Sequence, residues 1–254
     1  MGRHSAARLP AMSTAGILII GNEILTGKIQ DENTPYLLRE LRRQGVDVPR
    51  VHVIPDVISE IARDVREFSR SFDYVLTSGG VGPTHDDVTM DGVAAAFELP
   101  LVAHEEMVAM LRSALRGREP NASHMKMCML PAGASLIATK DLWFPLVYVR
   151  NVFIFPGIPR LLQAKFEAAR DAFKGSPIYL RRVYVSLIES DIAEDLNALL
   201  VEFKDLMLGS YPRTTPDVDY MTMLTLESRD ADYAERAAAA LVKRIPPGAV
   251  VRVE

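Results

Sequence analysis

Tyr74-Val75-Leu76-Thr77-Ser78-Gly79-Gly80-Val81-Gly82-Pro83-Thr84-His85-Asp86-Asp87 is the stretch on which the reading of this chain turns. Tyr74, Val75 and Leu76 make a short strand, and the glycines behind them stop it abruptly. Gly79, Gly80 and Gly82 let the main chain bend tightly and approach a ligand with no Cβ in the way. Amides converging on one concavity form an anion site, and a helix beginning near Val88 adds its positive end. Thr77, Ser78 and Thr84 offer hydroxyls, and Pro83 belongs to the same surface. Such a cradle suits a phosphate or a pterin. Asp86 and Asp87 would repel a phosphate, and a bridging divalent cation, Mg2+ or a transition metal, removes the conflict. The competing role for both aspartates is to cap the helix that follows.

Outward from this turn the chain alternates strand and helix. Ala15 to Ile20 is an apolar run ending at Gly21, followed by a loop, Gly21-Asn22-Glu23-Ile24-Leu25-Thr26-Gly27. Asp31 to Pro35 carries helix-start chemistry, Leu37, Leu38 and Leu41 form an apolar stripe, and Gly45 suits a C-cap. Val46, Val48, Val51, Val53 and Ile54 give a second strand, and Ser59 is expected to cap a helix with Ile61, Val65 and Phe68 inside. Leu146 to Phe155 reads as one long strand, Pro156-Gly157-Ile158-Pro159 as a rigid turn, and Arg160 to Phe173 as a helix. This order predicts an α/β fold, a mostly parallel sheet covered on both faces. After Gly175-Ser176-Pro177 the order becomes β-α-β-β-α-β, a split βαβ unit. The expected divisions are an extension or tag over 1–11, a main domain over 12–175 and a small α+β domain over 178–254.

Three strand ends thus fall on one sheet edge, where open parallel sheets bind ligands. The first supplies Gly21, Asn22, Glu23, Thr26 and Gly27, with Asp31 and Asn33 at the next helix start; Asp31 is a candidate second metal ligand or a cap. The third supplies Pro156, Gly157 and Pro159, which give shape and no acid–base chemistry. Ser78 has no glycine-serine elbow around it. His52, His104 and His124 lack metal-ligand spacing, and His85 reads as a bystander.

The 254 residues carry a net charge of -4, without the basic face expected of a nucleic-acid binder. Hydrophobic residues make up 48%, enough for a well-buried core, yet no apolar run reaches membrane-spanning length. The single cysteine, Cys128, excludes an internal disulfide and a cysteine-based zinc cluster, and its neighbours Met127, Met129 and Leu130 predict burial. Met125, Met127 and Met129 alternate as in a core strand. A cytoplasmic homo-oligomer is expected, with no nucleic-acid or membrane partner.

Taken together, the runs 19–27, Asp31-x-Asn33, 77–87 and 144–159 resemble the MoaB/Mog-like molybdopterin-binding domain family over nearly all of Ala15 to Phe173. Two branches are most similar: the N-terminal domain of CinA proteins and the molybdopterin-binding-like domain of FAD synthase. Leu208-Gly-Ser-Tyr-Pro212, with the run 144–159, leans toward the second. The resemblance implies a three-layer αβα fold and a pocket for a phosphorylated pterin or a dinucleotide. It implies a metal-linked aspartate at Asp87 and a second acidic position at Asp31; beside these, Asp86 and Glu23 are candidates to accept the proton of an attacking water. The implied activity is metal-dependent cleavage of a pyrophosphate such as ADP-ribose or FAD. The alternatives are a molybdopterin-binding or adenylyl-transferring protein of molybdenum cofactor synthesis, or a non-catalytic nucleotide or pterin module. The chain carries neither an amidase-like nor an adenylyl-transferring domain, so making FAD is not expected of it. Arg160 stands where the family often has an acidic residue.

Overall fold

A computed structural model of the chain describes residues 12–213 and 219–254; the expected extension over 1–11 lies outside them. The chain divides at Ser176 and Pro177 into two compact units.

The first unit contains β1 (Thr14–Ile20), α1 (Asn22–Leu25), α2 (Asn33–Arg43), β2 (Asp47–Ile54), α3 (Ile58–Ser71), β3 (Tyr74–Ser78) and α4 (Thr89–Phe97). It continues with β4 (Leu101–Ala103), α5 (Glu105–Leu115), α6 (Ala122–Lys126), β5 (Met129–Pro131), β6 (Ser135–Ile137), β7 (Leu146–Val149), β8 (Val152–Phe155) and α7 (Pro159–Ala169). The main sheet has the order β2-β1-β3-β8-β7-β6. Its first four strands are parallel, β7 pairs antiparallel with β8, and β6 pairs antiparallel with β7 and so runs with the first four. Strand alternation builds the layers. Leu18 and Ile20 face a core with Val65 and Phe68 of α3 and Val93 of α4. Ala15, Ile17 and Ile19 face the opposite core with Leu37 of α2 and Phe166 of α7. Each fully buried side chain of this size contributes about 1.5–3 kcal/mol, so β1, apolar on both faces, belongs in the middle of a three-layer αβα sandwich.

Several boundaries differ from the sequence reading. Leu146 to Phe155 is a hairpin: β7 and β8 pair antiparallel with Val149 opposite Val152. The two residues between them make the turn, Arg150 at φ 55. Asn151 donates to the carbonyls of Ser69 and Phe72 and accepts from the Ser69 hydroxyl, which fixes the turn against α3. Ser59 does not cap α3, whose N-cap is Val57 with no side-chain bond. The 21–27 loop contains the single-turn helix α1. Met125 lies in α6, which Asn121 starts through a capping box with His124, and only Met129 enters a strand. Cys128 is fully buried, and burial raises its thiol pKa.

The second unit is β9 (Tyr179–Val185), α8 (Glu189–Glu202), β10 (Met207–Pro212), β11 (Thr222–Ser228), α9 (Ala231–Arg244) and β12 (Val250–Val253). Its antiparallel sheet has the order β10-β11-β9-β12, with Leu196 and Leu199 of α8 and Ala237 and Leu241 of α9 in its core. This is the expected β-α-β-β-α-β unit. Among the described residues no helix is long and apolar enough to cross a membrane.

Candidate functional site

The ends of β1, β3 and β8 open onto one cavity of about 560 Å3. Of the residues singled out in the sequence, Glu23, Asp31, Asn33, Ser78, Gly79, Gly80, Gly82, Pro83, Asp87, Pro156, Gly157 and Pro159 all line it. Val81, Ile158, Ile29, Gln30, Glu32 and Leu161, which no sequence argument marked, also line it.

The glycine turn is held by main-chain geometry. Gly79 has φ 106, and a Cβ there would stand 2.0 Å from the Ile20 carbonyl oxygen. Gly80 has φ 60, in the left-handed region. Buried Thr89, unmarked in the sequence, donates its hydroxyl to the Gly79 carbonyl at 2.8 Å and its amide to the Gly80 carbonyl at 3.1 Å. Both carbonyls are thereby turned toward α4. The Gly79 amide donates to the Phe155 carbonyl at 3.1 Å, so it is not a ligand donor as expected. The amides of Gly80, Val81 and Gly82 donate to nothing among the described residues, and neither do those of Gly157 and Ile158.

The acids separate into two kinds. Asp31 Oδ1 accepts from the amides of Asn33 and Thr34 at 2.9 and 3.1 Å, which starts α2. Asp87 Oδ2 accepts from the Thr84 amide at 2.8 Å and from its hydroxyl. Asp31 thus caps, while Asp87 closes the turn back onto Thr84 and leaves α4 to start from its N-cap Val88 with no side-chain bond; each keeps its other carboxylate oxygen without a hydrogen bond among the described residues. Gly82 makes room for Asp87: a Cβ there would lie 2.6 Å from Asp87 Oδ2. Glu23 is exposed on the cavity rim. Asp86 does not reach the cavity. Its exposed side chain lies 3.8 Å from the His85 ring and outside the lining, which corrects its expected ligand role.

Asn33 is also reassigned. Its Nδ2 donates to Ser78 Oγ at 2.9 Å and to the Gly157 carbonyl at 2.7 Å, joining all three turns. Both amide protons are engaged, so it cannot donate to phosphate and acts as a brace. The remaining expected contacts are absent from the lining. Gly21, buried, donates its amide to the Ile54 carbonyl, and the Asn22 amide donates to Asp56. Thr26 donates to the Asn22 carbonyl, and Gly27 takes φ 68 in the open turn after α1. Thr77 is fully buried within β3, and the Thr84 hydroxyl serves Asp87. Arg160 is exposed and outside the lining.

Gly80, Val81, Gly82 and Asp87 also wall a second cavity of about 190 Å3 on the far side of the turn. Met90, Leu101, Met127, Met129 and Phe144 make it apolar. Of the alternating methionines, Met125 packs against the core as expected, whereas Met127 and Met129 face this cavity, because α6, started by a capping box without Ser, Thr or Glu, replaces the expected strand.

A sequence profile described as "Probable molybdopterin binding domain" matches residues 16–173, which contain every residue of both cavities. The chain belongs to this MoaB/Mog-like family. Residues 177–254 match a second profile, "FAD synthase, middle domain". A probable FAD synthase of Caenorhabditis elegans is 32% identical, across 92% of this chain and 50% of its own length. A protein of Archaeoglobus fulgidus is also 32% identical, across 87% of this chain and 93% of its own length. The crystal structure of the protein CinA from Thermoplasma acidophilum aligns with 64% of this chain and 98% of its own, at 28% identity and a TM-score of 0.60. The chain spans about half the length of the C. elegans relative.

Proposed function

We propose that this MoaB/Mog-like chain hydrolyses the phosphoanhydride of a dinucleotide such as ADP-ribose or FAD, with a divalent ion. One observation carries the reading: the unengaged amides of Gly80, Val81 and Gly82 and the carboxylates of Asp31 and Asp87 line the same cavity. Amides bind the diphosphate oxygens, and carboxylates beside them are compatible with that anion only when a cation lies between.

The donor set fits a hard ion. Among the described residues no cluster of three or more His, Cys, Asp and Glu is arranged to hold a metal. Mg2+ commonly takes one or two carboxylates, water and substrate phosphate oxygens, and the open oxygens of Asp31 and Asp87 supply that number. When bound, such an ion withdraws charge from the phosphoryl group. The chain's own residues do the remaining work. Gly80, Val81 and Gly82 orient the diphosphate and stabilise its charge. Glu23 accepts a proton from the attacking water while the new P–O bond forms and the bridging P–O bond breaks; the leaving phosphate departs with that electron pair.

The test is release of AMP from ADP-ribose or FAD by the purified chain with Mg2+, Mn2+, Co2+ or Ni2+. Asp87→Asn is expected to lower turnover at least ~100-fold by removing a charged ligand. Absence of AMP with every ion tried refutes the proposal. The family match favours a second reading, capture of a phosphorylated pterin without hydrolysis, which tight pterin binding with no turnover would support.

A further inference from the structure

α7 buries Leu162, Phe166 and Ala169 along one stripe, and Lys165 occupies a position of that same stripe. It is 1% exposed. A leucine or methionine would complete the stripe without the cost of burying an amine, so the nitrogen calls for a role of its own. Nζ donates to the main-chain carbonyls of Phe144 and Pro145, the second at 2.6 Å, and lies 4.4 Å from the centroid of the Phe144 ring. The stripe of α7 belongs to one core and the Phe144 ring packs on the other. One side chain thus joins the two faces of the sheet at the entry to β7.

Phe144 stands behind the site. Its ring packs on the same core as Val81 and faces Gly80, Val81, Gly82 and Asp87 across the second cavity. Support for the glycine turn from that side depends on where Phe144 is held. An ammonium holds it more firmly than a neutral amine, because charge-assisted bonds are roughly twice as strong as neutral ones and attraction to the ring face needs the charge. Burial pushes the pKa of this amine down to about 7, and no charged neighbour contributes. Between α2 and α7 the titratable groups, Tyr36, Glu40, Glu167 and Arg170, bond to one another. Tyr74 of β3, Tyr148 of β7, and Lys140 and Asp141 before β7 add no part of the shift.

We propose that Lys165 is a proton-operated positioning residue for the site: as an ammonium it clamps Phe144 behind the glycine turn, and on losing its proton it loosens that support. The turn's amides are then less well aligned and hold the diphosphate less tightly. This link to substrate rests on the proposed function; the clamp itself does not.

The test follows the folded full chain between about pH 6 and about pH 8.5, a range that brackets the expected transition. The first readout is the fluorescence of Trp143, the single tryptophan, whose ring meets that of Phe144 edge-on at 5.6 Å. A reversible change with its midpoint at about 7 is expected in the wild type, and none in Lys165→Met, which keeps the shape and removes the proton. Phe144→Leu keeps both carbonyl bonds and removes the ring, so the midpoint should fall by roughly 0.5–1.5 pH units as the charged form loses that contact. It carries the test if Lys165→Met does not fold. The second readout is KM and kcat for AMP release from FAD. KM should rise roughly three- to tenfold across the wild-type transition and stay at its high-pH value in Lys165→Met, while the pH profile of kcat keeps its shape. No transition in the wild type, a transition that survives Lys165→Met, or an unmoved midpoint in Phe144→Leu refutes the clamp. A transition with a flat KM refutes the positioning role. Absence of AMP at every pH refutes the hydrolysis reading, and the fluorescence then decides the clamp alone.

Discussion

Gly79 and Gly82 are three residues apart in one turn, and the structure assigns them opposite consequences on substitution by alanine. At Gly79 the added Cβ meets main chain, the Ile20 carbonyl oxygen at 2.0 Å, and φ 106 is unfavourable to any L side chain. Relief requires separating β3 from β1, which pair from Ala15–Tyr74 to Ile19–Ser78. Backbone strain of about 1–3 kcal/mol and overpacking of about 1–3 kcal/mol give a loss of roughly 2–6 kcal/mol. That is a large share of the about 5–15 kcal/mol that a domain possesses. At Gly82 the Cβ meets only the Asp87 carboxylate, at 2.6 Å, and no left-handed φ is involved. The side chain can rotate away, giving up its bonds to Thr84 in an exposed setting at about 1–2 kcal/mol. The chain's single tryptophan, Trp143, lies in the first unit, so its fluorescence during urea unfolding reports that unit. Gly79→Ala should shift the midpoint strongly. Gly82→Ala should shift it little and still abolish AMP release, because Asp87 has left its place. Wild-type turnover in folded Gly82→Ala would refute the role of that carboxylate. Equal destabilisation of the two variants would refute the argument from Cβ contacts.

Three further outcomes follow from the same geometry. Asp31→Asn keeps an acceptor for the amides of Asn33 and Thr34, so urea unfolding should move by less than about 0.5 kcal/mol while turnover falls; Asp31→Ala should lose turnover and about 1 kcal/mol of stability. Asn33→Leu removes both bonds that join the turns and should cost about 2–3 kcal/mol by the same measurement, with ligand affinity falling as Ser78 and Gly157 lose their register. Lys165 is 1% exposed, donates to the carbonyls of Phe144 and Pro145, and has its pKa pushed down by burial to about 7. Between that value and the ordinary 10.5 the unfolded chain holds the extra proton, so stability should rise with pH, by up to about 1.4 kcal/mol per unit. Unfolding midpoints across pH 7 to 10 should show this rise in the wild type and a flatter profile in Lys165→Met; parallel profiles would refute it.

The sandwich was legible because its signals are local and repeated: β1 is apolar on both faces, and the helices that cover it carry one-sided stripes. The convergence of three strand ends on a single cavity followed from that topology. Less legible were features set by a single polar residue acting at long range. Asn151 holds an apolar run as a hairpin by bonding to Ser69 of α3 and to Phe72 just after it, 82 and 79 positions away. The Arg150-Asn151 pair was the available signal, a charged and amide interruption with left-handed tolerance inside a run of Val, Tyr and Phe. Asn33 looks in sequence like a ligand contact because it sits at a helix start beside the site. Only its partners, 45 and 124 positions away, show that it is a brace. Asp86 and Asp87 are neighbours in sequence, but the turn from Thr84 to Asp87 sends them to different sides, one to solvent and one to the cavity.

The polar side chains around the cavity are largely engaged with one another. Ser78 accepts from Asn33, Thr84 donates to Asp87, Thr89 donates to the Gly79 carbonyl, and Thr26 donates to the Asn22 carbonyl. The Thr84 hydroxyl, which sequence would give to a phosphate, therefore holds its own turn in shape, and Ser78 serves as the acceptor for the Asn33 brace. The cavity presents main-chain N–H at the glycine turn and carboxylate oxygen at Asp31 and Asp87. A bare anion is attracted by the first and repelled by the second, and a bare cation finds too few ligands to be held alone. A diphosphate with its ion satisfies both sides at once. In the proposed function, then, the two should bind as one species, each raising the affinity of the other by the same factor.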